Sequence, residues 1–545
     1  MRIAMTLQHA WKIDSRVIRE AEALVRAGNQ VLVVCRGLAE QPLTETQNGV
    51  MYQSLPRSPA VTPRQLVALF LVHLRIYSLW LVDRFKIGWR CGLRESWRSV
   101  KPLVILLPIV GLALLAKLLQ MLFVVPIRYM LRTLISPIRY MLRTVFRVAF
   151  RLARPIFRMA LPQRGRAIIW NVYQSWRRLG AGIQTRFRVW ASSLTSRFRV
   201  WVSPLTSRIR EAARIYVEPL VHLNDYAASC AGSIVEWRPD VVHIHDMVCM
   251  SGGYVAARRL GVPFVYDAHE LETHTNYHLG RLTWLFIDRY QNALIRRAAG
   301  VITVCESIAD WLSRKYGIDR PTVILNTPAF DMSESSGTYS ETLRTHLGLT
   351  DSEKLAVYVG AVTIDRGLEN CVEALQYAPG IHLALVGSRY SVTEELLVRL
   401  ANQFGVSERL HLVDPVPGNL VVPFVRSATL SLIPIQNVCL SYFYCMPNKL
   451  LESVVGGLPI AIARLKELKS FLEKFPVGIE MDESSPKSIA LAMQKLSEET
   501  DKYRPTDDQI STIIRHYGWE SQSAKLVRLY DCLESSGLSE RAQDA

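Results

Sequence analysis

The chain of 545 residues has room for two to four domains at a prior of ~150 residues each. With 49% hydrophobic and 21% charged residues it can bury large cores, which excludes a wholly disordered, collagen-like or disulfide-scaffold protein. The formal charge of +17 is laid down unevenly, because residues 60–225 hold 28 basic and 5 acidic side chains, a net of +23, and the rest of the chain stands at −6.

Met1 to Leu7 is an apolar run that reads directly into a strand, with no charged leader, apolar core or small-residue cleavage site of a secretory signal. The spacing of Val17, Ala21, Leu24 and Val25 predicts a helix over Ser15 to Ala27, stopped by Gly28, and Val31 to Cys35 is the next strand. That is a βαβ unit. After a long interruption the alternation resumes: a helix over Asp225 to Trp237, strand Val241 to His245, helix Gly253 to Leu260 and strand Pro263 to Tyr266. Helix Leu282 to Ala299, strand Val301 to Val304, helix Ile308 to Tyr316 and strand Thr322 to Leu325 follow. Ser333 to Tyr339 reads as a linker. A second series has strands at Leu355 to Val359, Ile381 to Val386, Leu410 to Val413, Leu430 to Ile433 and Pro459 to Ala461, and the amphipathic helix Trp519 to Leu533 closes it.

Short β-branched runs alternating with helices imply parallel sheets covered on both faces. The expected fold class is α/β, with two Rossmann-like doubly wound domains and a largely helical insert in the first. The layout is 1–59 and 226–332 for an N-terminal domain, 60–225 for the insert, 333–352 for a linker and 353–515 for a C-terminal domain. A C-terminal helix over 516–535 and a flexible tail over 536–545 complete it. Nine scattered cysteines without a C-x-x-C pair signal neither a disulfide framework nor a zinc ribbon and fit a reducing cytoplasm.

The insert is basic and apolar at once. Pro126 to Ile215 holds 19 Arg, no Lys and a single acid, Glu211. Pro126-Ile-Arg-Tyr-Met-Leu-Arg-Thr133 recurs verbatim from Pro137 to Thr144, and Arg186-Phe-Arg-Val-Trp190 recurs from Arg197 to Trp201, each after eleven residues. Eleven residues make about three helical turns, so Met130, Leu131, Leu134, Ile138, Met141, Leu142 and Val145 share an apolar face opposite Arg128, Arg132, Arg139, Arg143 and Arg147. Such a helix suits an anionic membrane surface. Pro102 to Ala116 is uncharged, and the apolar run extends to Ile127. Both ends of the insert rejoin one domain, so crossings must be even in number. A second crossing over Leu66 to Val82 would include His73 and Arg75 and strand six cations on the far side. Pro108 and Gly111 favour a re-entrant or in-plane hairpin over a span. A helical hairpin packed on its own protein is the blander reading, and no nucleic acid is expected as partner.

Ligands of open α/β sheets bind beyond the carboxyl ends of strands. There the first half places Asp14 and Arg16, then His243-Ile-His245-Asp246, then Asp267-Ala-His269-Glu270. His243 is expected to be buried and hydrogen-bonded. His243, His245, Asp246, His269 and Glu270 together are a weak zinc signal, and no metal is expected. In the second half Gly360-Ala-Val-Thr-Ile-Asp365-Arg366-Gly367 opens a helix, Gly387-Ser388-Arg389 ends a strand, and Pro447-Asn448-Lys449-Leu-Leu-Glu452 starts another helix. Glycines, free helix N–H groups and cations are what a diphosphate needs.

These strings resemble the family-four glycosyltransferases of the GT-B fold: Asp14-Ser-Arg-Val-Ile-Arg-Glu-Ala21 with Ala27-Gly28, Tyr266-Asp-Ala-His-Glu270, Asn326-Thr-Pro328 and the Pro447 to Pro459 stretch. The resemblance covers residues 1 to about 56 and 226 to 535. It implies metal-independent, cofactor-free transfer of a sugar from a nucleotide-diphosphate sugar, with retention of configuration. By resemblance Gly360, Arg366, Gly367, Gly387, Asn448 and Lys449 bind the donor diphosphate region and Glu452 its ribose. His245, Asp246, His269 and Glu270 act at the transferred sugar or acceptor, with Asp14 and Arg16 on the acceptor side. Two departures stand out: Tyr444 where many members have the first of two Glu, and Ala361 where a basic residue often follows the glycine. With an insert of this kind the expected acceptor is lipid-linked or a polysaccharide, and the expected location is the cytoplasmic face of the cell membrane, peripheral or monotopic. A nucleotide-sugar 2-epimerase and a non-catalytic membrane scaffold are the rival readings.

Overall fold

The computed structural model describes residues 1–8, 14–36, 43–55, 227–276, 281–327, 330 and 341–535. The expected insert, the polar tail and residues 333–340 of the expected linker lie outside them.

Strands β1 (Arg2–Leu7), β2 (Gln30–Arg36), β3 (Leu43–Gln47), β4 (Val50–Leu55), β5 (Val241–His245), β6 (Phe264–Ala268), β7 (Gly300–Thr303) and β8 (Thr322–Val323) form one sheet in the order β3-β4-β2-β1-β5-β6-β7-β8. Every neighbouring pair is parallel except β3 with β4. The unbroken apolar runs explain this: Ile3, Ala4 and Met5 in β1 and Val33 and Val34 in β2 are wholly buried, as strands covered on both faces must be. Chain order reverses at β1, which has β2 on one side and β5 on the other, so the carboxyl ends of β1 and β5 frame a crevice.

The second sheet is wholly parallel: β9 (Lys354–Val359), β10 (Ile381–Val386), β11 (Leu410–Val413), β12 (Leu430–Ile433), β13 (Ile460–Ala463) and β14 (Gly478–Met481), ordered β11-β10-β9-β12-β13-β14. Its reversal falls at β9, which Gly360 follows.

Several elements go beyond the expectation. β3 and β4 form a hairpin on Asn48-Gly49, both with positive φ (50° and 79°), the tight turn that fits strand twist. β14 adds an edge to the second sheet. The helix Asp246–Leu260 begins seven residues before Gly253; there a Cβ would lie 2.5 Å from the Ile244 side chain, so glycine lets the helix seat directly on β5. A short capped helix, Leu343–His346, stands inside the expected linker, tied down by Arg344 donating to the Ser427 and Glu353 carbonyls at 3.0 and 2.8 Å.

The closing helices divide between the sheets. Ile513 of Asp507–Tyr517 packs in the core of β12 and β13, whereas Trp519, Leu526, Tyr530 and Leu533 of Trp519–Ser535 complete the core around Ile3, Met5, Val17 and Val265. Among the described residues no helix is long and apolar enough to cross a membrane.

Candidate active site

The first sheet gathers a charged cluster at the ends of β1, β5 and β6. Asp14 caps the helix Ser15–Arg26, accepting from the Arg16 and Val17 amides at 3.2 Å. Arg16, 3% exposed, turns inward rather than toward an open crevice. Its Nε donates to Asp267 Oδ2 at 3.1 Å, its Nη2 to both Asp267 oxygens at 2.9 Å and its Nη1 to the Ile324 carbonyl at 2.9 Å. Glu20, one turn along, lies 2.9 Å from Arg16 Nε.

Asp267 is the hub. Besides Arg16 it has His245 Nδ1 at 3.3 Å and His269 Nε2 at 3.4 Å, and those two rings approach each other at 3.1 Å. Burial alone would raise the Asp267 carboxyl, but Arg16 and His269 outweigh it and hold it well below the usual range. His269 Nδ1 is 3.2 Å from Asp246 Oδ2, and its backbone N–H donates to Asp246 Oδ1 at 3.2 Å. Burial disfavours a charged ring, yet Asp246 and Asp267 prevail and lift His269 well above the usual imidazole range, which favours its protonated form.

Exposure sorts the predicted residues. His245 is 1% exposed, against 19% for His269 and 27% for Asp246, so the latter two face the crevice and His245 backs them. Asp246 has φ of 58°, a strained conformation for a non-glycine residue at a helix start. Glu270 is raised by burial and by Asp246, and Glu272, which accepts from the Met247 amide at 3.2 Å, is raised further for the same reasons and by Glu270. His243 is fully buried and bonded, as expected, to Tyr530 at 2.7 Å.

The possible metal set is also different from the one grouped by sequence. Ligand-type atoms of Glu20, His243, His245 and Asp267 lie within 4.8 Å of one another. The Arg16 guanidinium touches both carboxylates of that set and supplies positive charge there already.

The second sheet builds a cradle at the end of β9. Gly367 has φ of 71°, and a Cβ there would sit 2.2 Å from the Pro434 carbonyl oxygen; a Cβ on Gly387 would meet the Gly360 oxygen at 2.2 Å. Only glycine lets these loops pack so closely. Asn448 and Lys449 open the helix Asn448–Val455, with Glu452 one turn along. The Lys449 Nζ lies 3.7 Å over the Tyr358 ring beside Gly360, and Arg366 lies 5.0 Å over Tyr442. Among the described residues neither cation has a carboxylate within 4.0 Å. Burial, then the nearby Arg366, bring Lys449 down to about 7, while burial raises Glu452 against Lys449 and Arg19.

Links join the two halves. Ser441 Oγ accepts from the Leu271 amide at 3.2 Å, Asn276 donates to Asp365 at 2.9 Å, Glu467 accepts from the Ser307 amide at 2.8 Å, and Cys305 Sγ donates to the Tyr444 carbonyl at 2.9 Å. Asp267, Glu20, Glu272, Asn276 and Tyr530 were not selected from sequence. Asp267 had a usable signal, an acid ending a strand inside the Tyr266 to Glu270 string; the others are joined by tertiary contacts with no local mark.

The family model for Glycosyltransferase Family 4 matches residues 208–327. The D-inositol 3-phosphate glycosyltransferase of Xylanimonas cellulosilytica is 23% identical over 53% of this chain and 71% of its own length, and that of Thermobifida fusca 26% identical over 52% and 66%. The sucrose-phosphate synthase of Thermosynechococcus elongatus has the same fold, with a TM-score of 0.57 at 12% identity over 98% of this chain and 100% of its own. Two parallel sheets with crevice-forming strand ends give this chain the GT-B fold, and residues 208–327 together with the curated relatives liken it to the family-four glycosyltransferases.

Proposed function

We propose that the protein transfers a sugar from a nucleoside-diphosphate sugar, held at the carboxyl edge of the second sheet, to an acceptor hydroxyl presented at the first, with retention of configuration. The observation that carries this reading is the pair Arg366 and Lys449, two cations with no carboxylate within 4.0 Å among the described residues, beside glycine loops and a helix start. A diphosphate is the dianionic group that such a cradle fits. As the anomeric bond breaks, charge grows on the leaving diphosphate, where Arg366, Lys449 and the first amides of the Asn448 helix stabilise it more than in the ground state. Glu452 accepts ribose hydroxyls. The acceptor proton passes to a donor phosphate oxygen on the same face, while the His269 ring, fixed by Asp246 and Asp267, places positive charge on the crevice side where the transferred sugar lies.

The arginine-rich repeats of the insert support action at an anionic membrane surface, with a lipid-linked or polysaccharide acceptor on the cytoplasmic side. The test is a screen of nucleotide sugars for thermal stabilisation, which a bound donor produces by mass action. Product analysis with the stabilising donor follows. Free nucleoside diphosphate released only with acceptor present is the expected result; release without acceptor, together with an isomerised sugar, identifies a 2-epimerase instead. Arg366→Ala and Glu452→Ala should each abolish turnover, and turnover surviving both overturns the site.

A further inference from the structure

We propose that Tyr530, on the closing helix, is a positioning residue of the acceptor-side site: its hydroxyl donates to His243 Nδ1 and thereby holds that ring as the Nε2–H tautomer facing Asp267 and Glu20. This rests on the transferase reading above and deepens it.

Both side chains are buried, with His243 at 0% and Tyr530 at 1% exposure, and the two atoms are 2.7 Å apart. His243 is a neutral ring, pushed down to about 3 by burial and by His245, so one ring nitrogen carries hydrogen and the other accepts. Which one is decided by the phenol. Nε2 faces Asp267 Oδ2 at 3.7 Å and Glu20 Oε2 at 3.8 Å, both beyond hydrogen-bond distance, and has no hydrogen-bond partner among the described residues. The Tyr530 phenol, which burial keeps protonated, has Nδ1 as its hydrogen-bond partner, so it donates there and leaves the ring hydrogen on Nε2.

The consequence reaches the crevice through contacts already described. His243 stacks on His245 with ring centroids 4.3 Å apart, and Asp267 lies against His245 and His269. A flipped tautomer would turn a lone pair on the Asp267 carboxylate, and the His269 ring that Asp267 orients would lose its fixed geometry. Second-layer hydrogen bonds that set a tautomer commonly decide rates in this way.

The test compares Tyr530→Phe, which removes one oxygen and keeps the ring, with Leu533→Ala, which loosens the same helix without touching His243. Tyr530→Phe is expected to lower kcat by about tenfold or more and to leave KM for the nucleotide sugar within about twofold. ¹⁵N-histidine spectra of the full-length protein are expected to show loss of the single Nε2–H form of His243. Leu533→Ala should lower Tm more than Tyr530→Phe does and leave kcat near the parent value. The proposal is overturned by an unchanged kcat in Tyr530→Phe, by an Nε2–H signal that survives it, or by kcat losses that simply follow Tm in both variants. If the parent protein turns over no nucleotide sugar, the transferase reading fails, and the histidine spectra alone decide the tautomer claim.

Discussion

The guanidinium of Arg16 and the carboxylate of Asp267 meet in the interior of the first sheet through three hydrogen bonds of 2.9 to 3.1 Å, although 251 positions separate them in the chain. Removing one partner leaves the other charged and buried. Asp267→Asn should therefore destabilise the protein by about 3–5 kcal/mol. A urea melt measures this, and combining Asp267→Asn with Arg16→Met should cost less than the two separate losses added together.

His269 offers a pH signature. Its folded pKa lies well above 6.5, so its stabilisation is fully present below about pH 6.5 and is lost as pH rises through the folded value. Tm should fall on the alkaline side, and His269→Gln should flatten that fall. Thermal melts across a pH series read both slopes.

Lys449 should couple donor binding to proton uptake. Free, it titrates near about 7, and a bound diphosphate favours its charged form and raises that value. Uridine or guanosine diphosphate should bind most tightly below pH 7 and progressively less tightly above it. Calorimetry in buffers of different ionisation heat detects the proton, which Lys449→Met should abolish.

Gly367→Ala tests the cradle's backbone. The alanine would need a left-handed conformation and would press on the Pro434 carbonyl, strain of roughly 1–3 kcal/mol before the clash is counted. Nucleoside diphosphate should then give no thermal stabilisation, although the sheet itself still melts cooperatively.

Deleting residues 101–215 should release the protein from anionic vesicles and leave diphosphate binding intact. Flotation with phosphatidylserine vesicles at low and high salt measures it. Binding to neutral vesicles at high salt would point instead to deep insertion of the Pro102 to Ile127 run.

What could be read from the sequence was whatever repeats locally. Periodicity located most sheet strands and the helices that cover them, and glycine, lysine and arginine at strand ends marked the cradle that the structure brings together. The β3–β4 hairpin was readable in its Asn48-Gly49 turn and was passed over, whereas β14 offers only four residues with weak alternation. Asp14 and Arg16 follow a strand end and open a helix, a position that suits an acceptor-side role and simple capping and pairing equally well; the structure uses Asp14 as a cap and buries Arg16 against Asp267. No periodic pattern announces such a pairing, since it joins the helix after β1 to a residue of β6, 251 positions away. Tyr530 is the extreme case, a core residue by spacing whose hydroxyl gains meaning only beside His243.

The placement of Trp519–Ser535 against β1 also bears on biosynthesis. The core begun by Ile3 and Met5 waits for Leu526 and Tyr530, which at roughly 5–20 residues per second emerge from the ribosome about half a minute to two minutes later. During that interval the nascent first lobe exposes the apolar face that the Trp519–Ser535 helix will cover, so chaperone occupancy should persist until that helix has emerged.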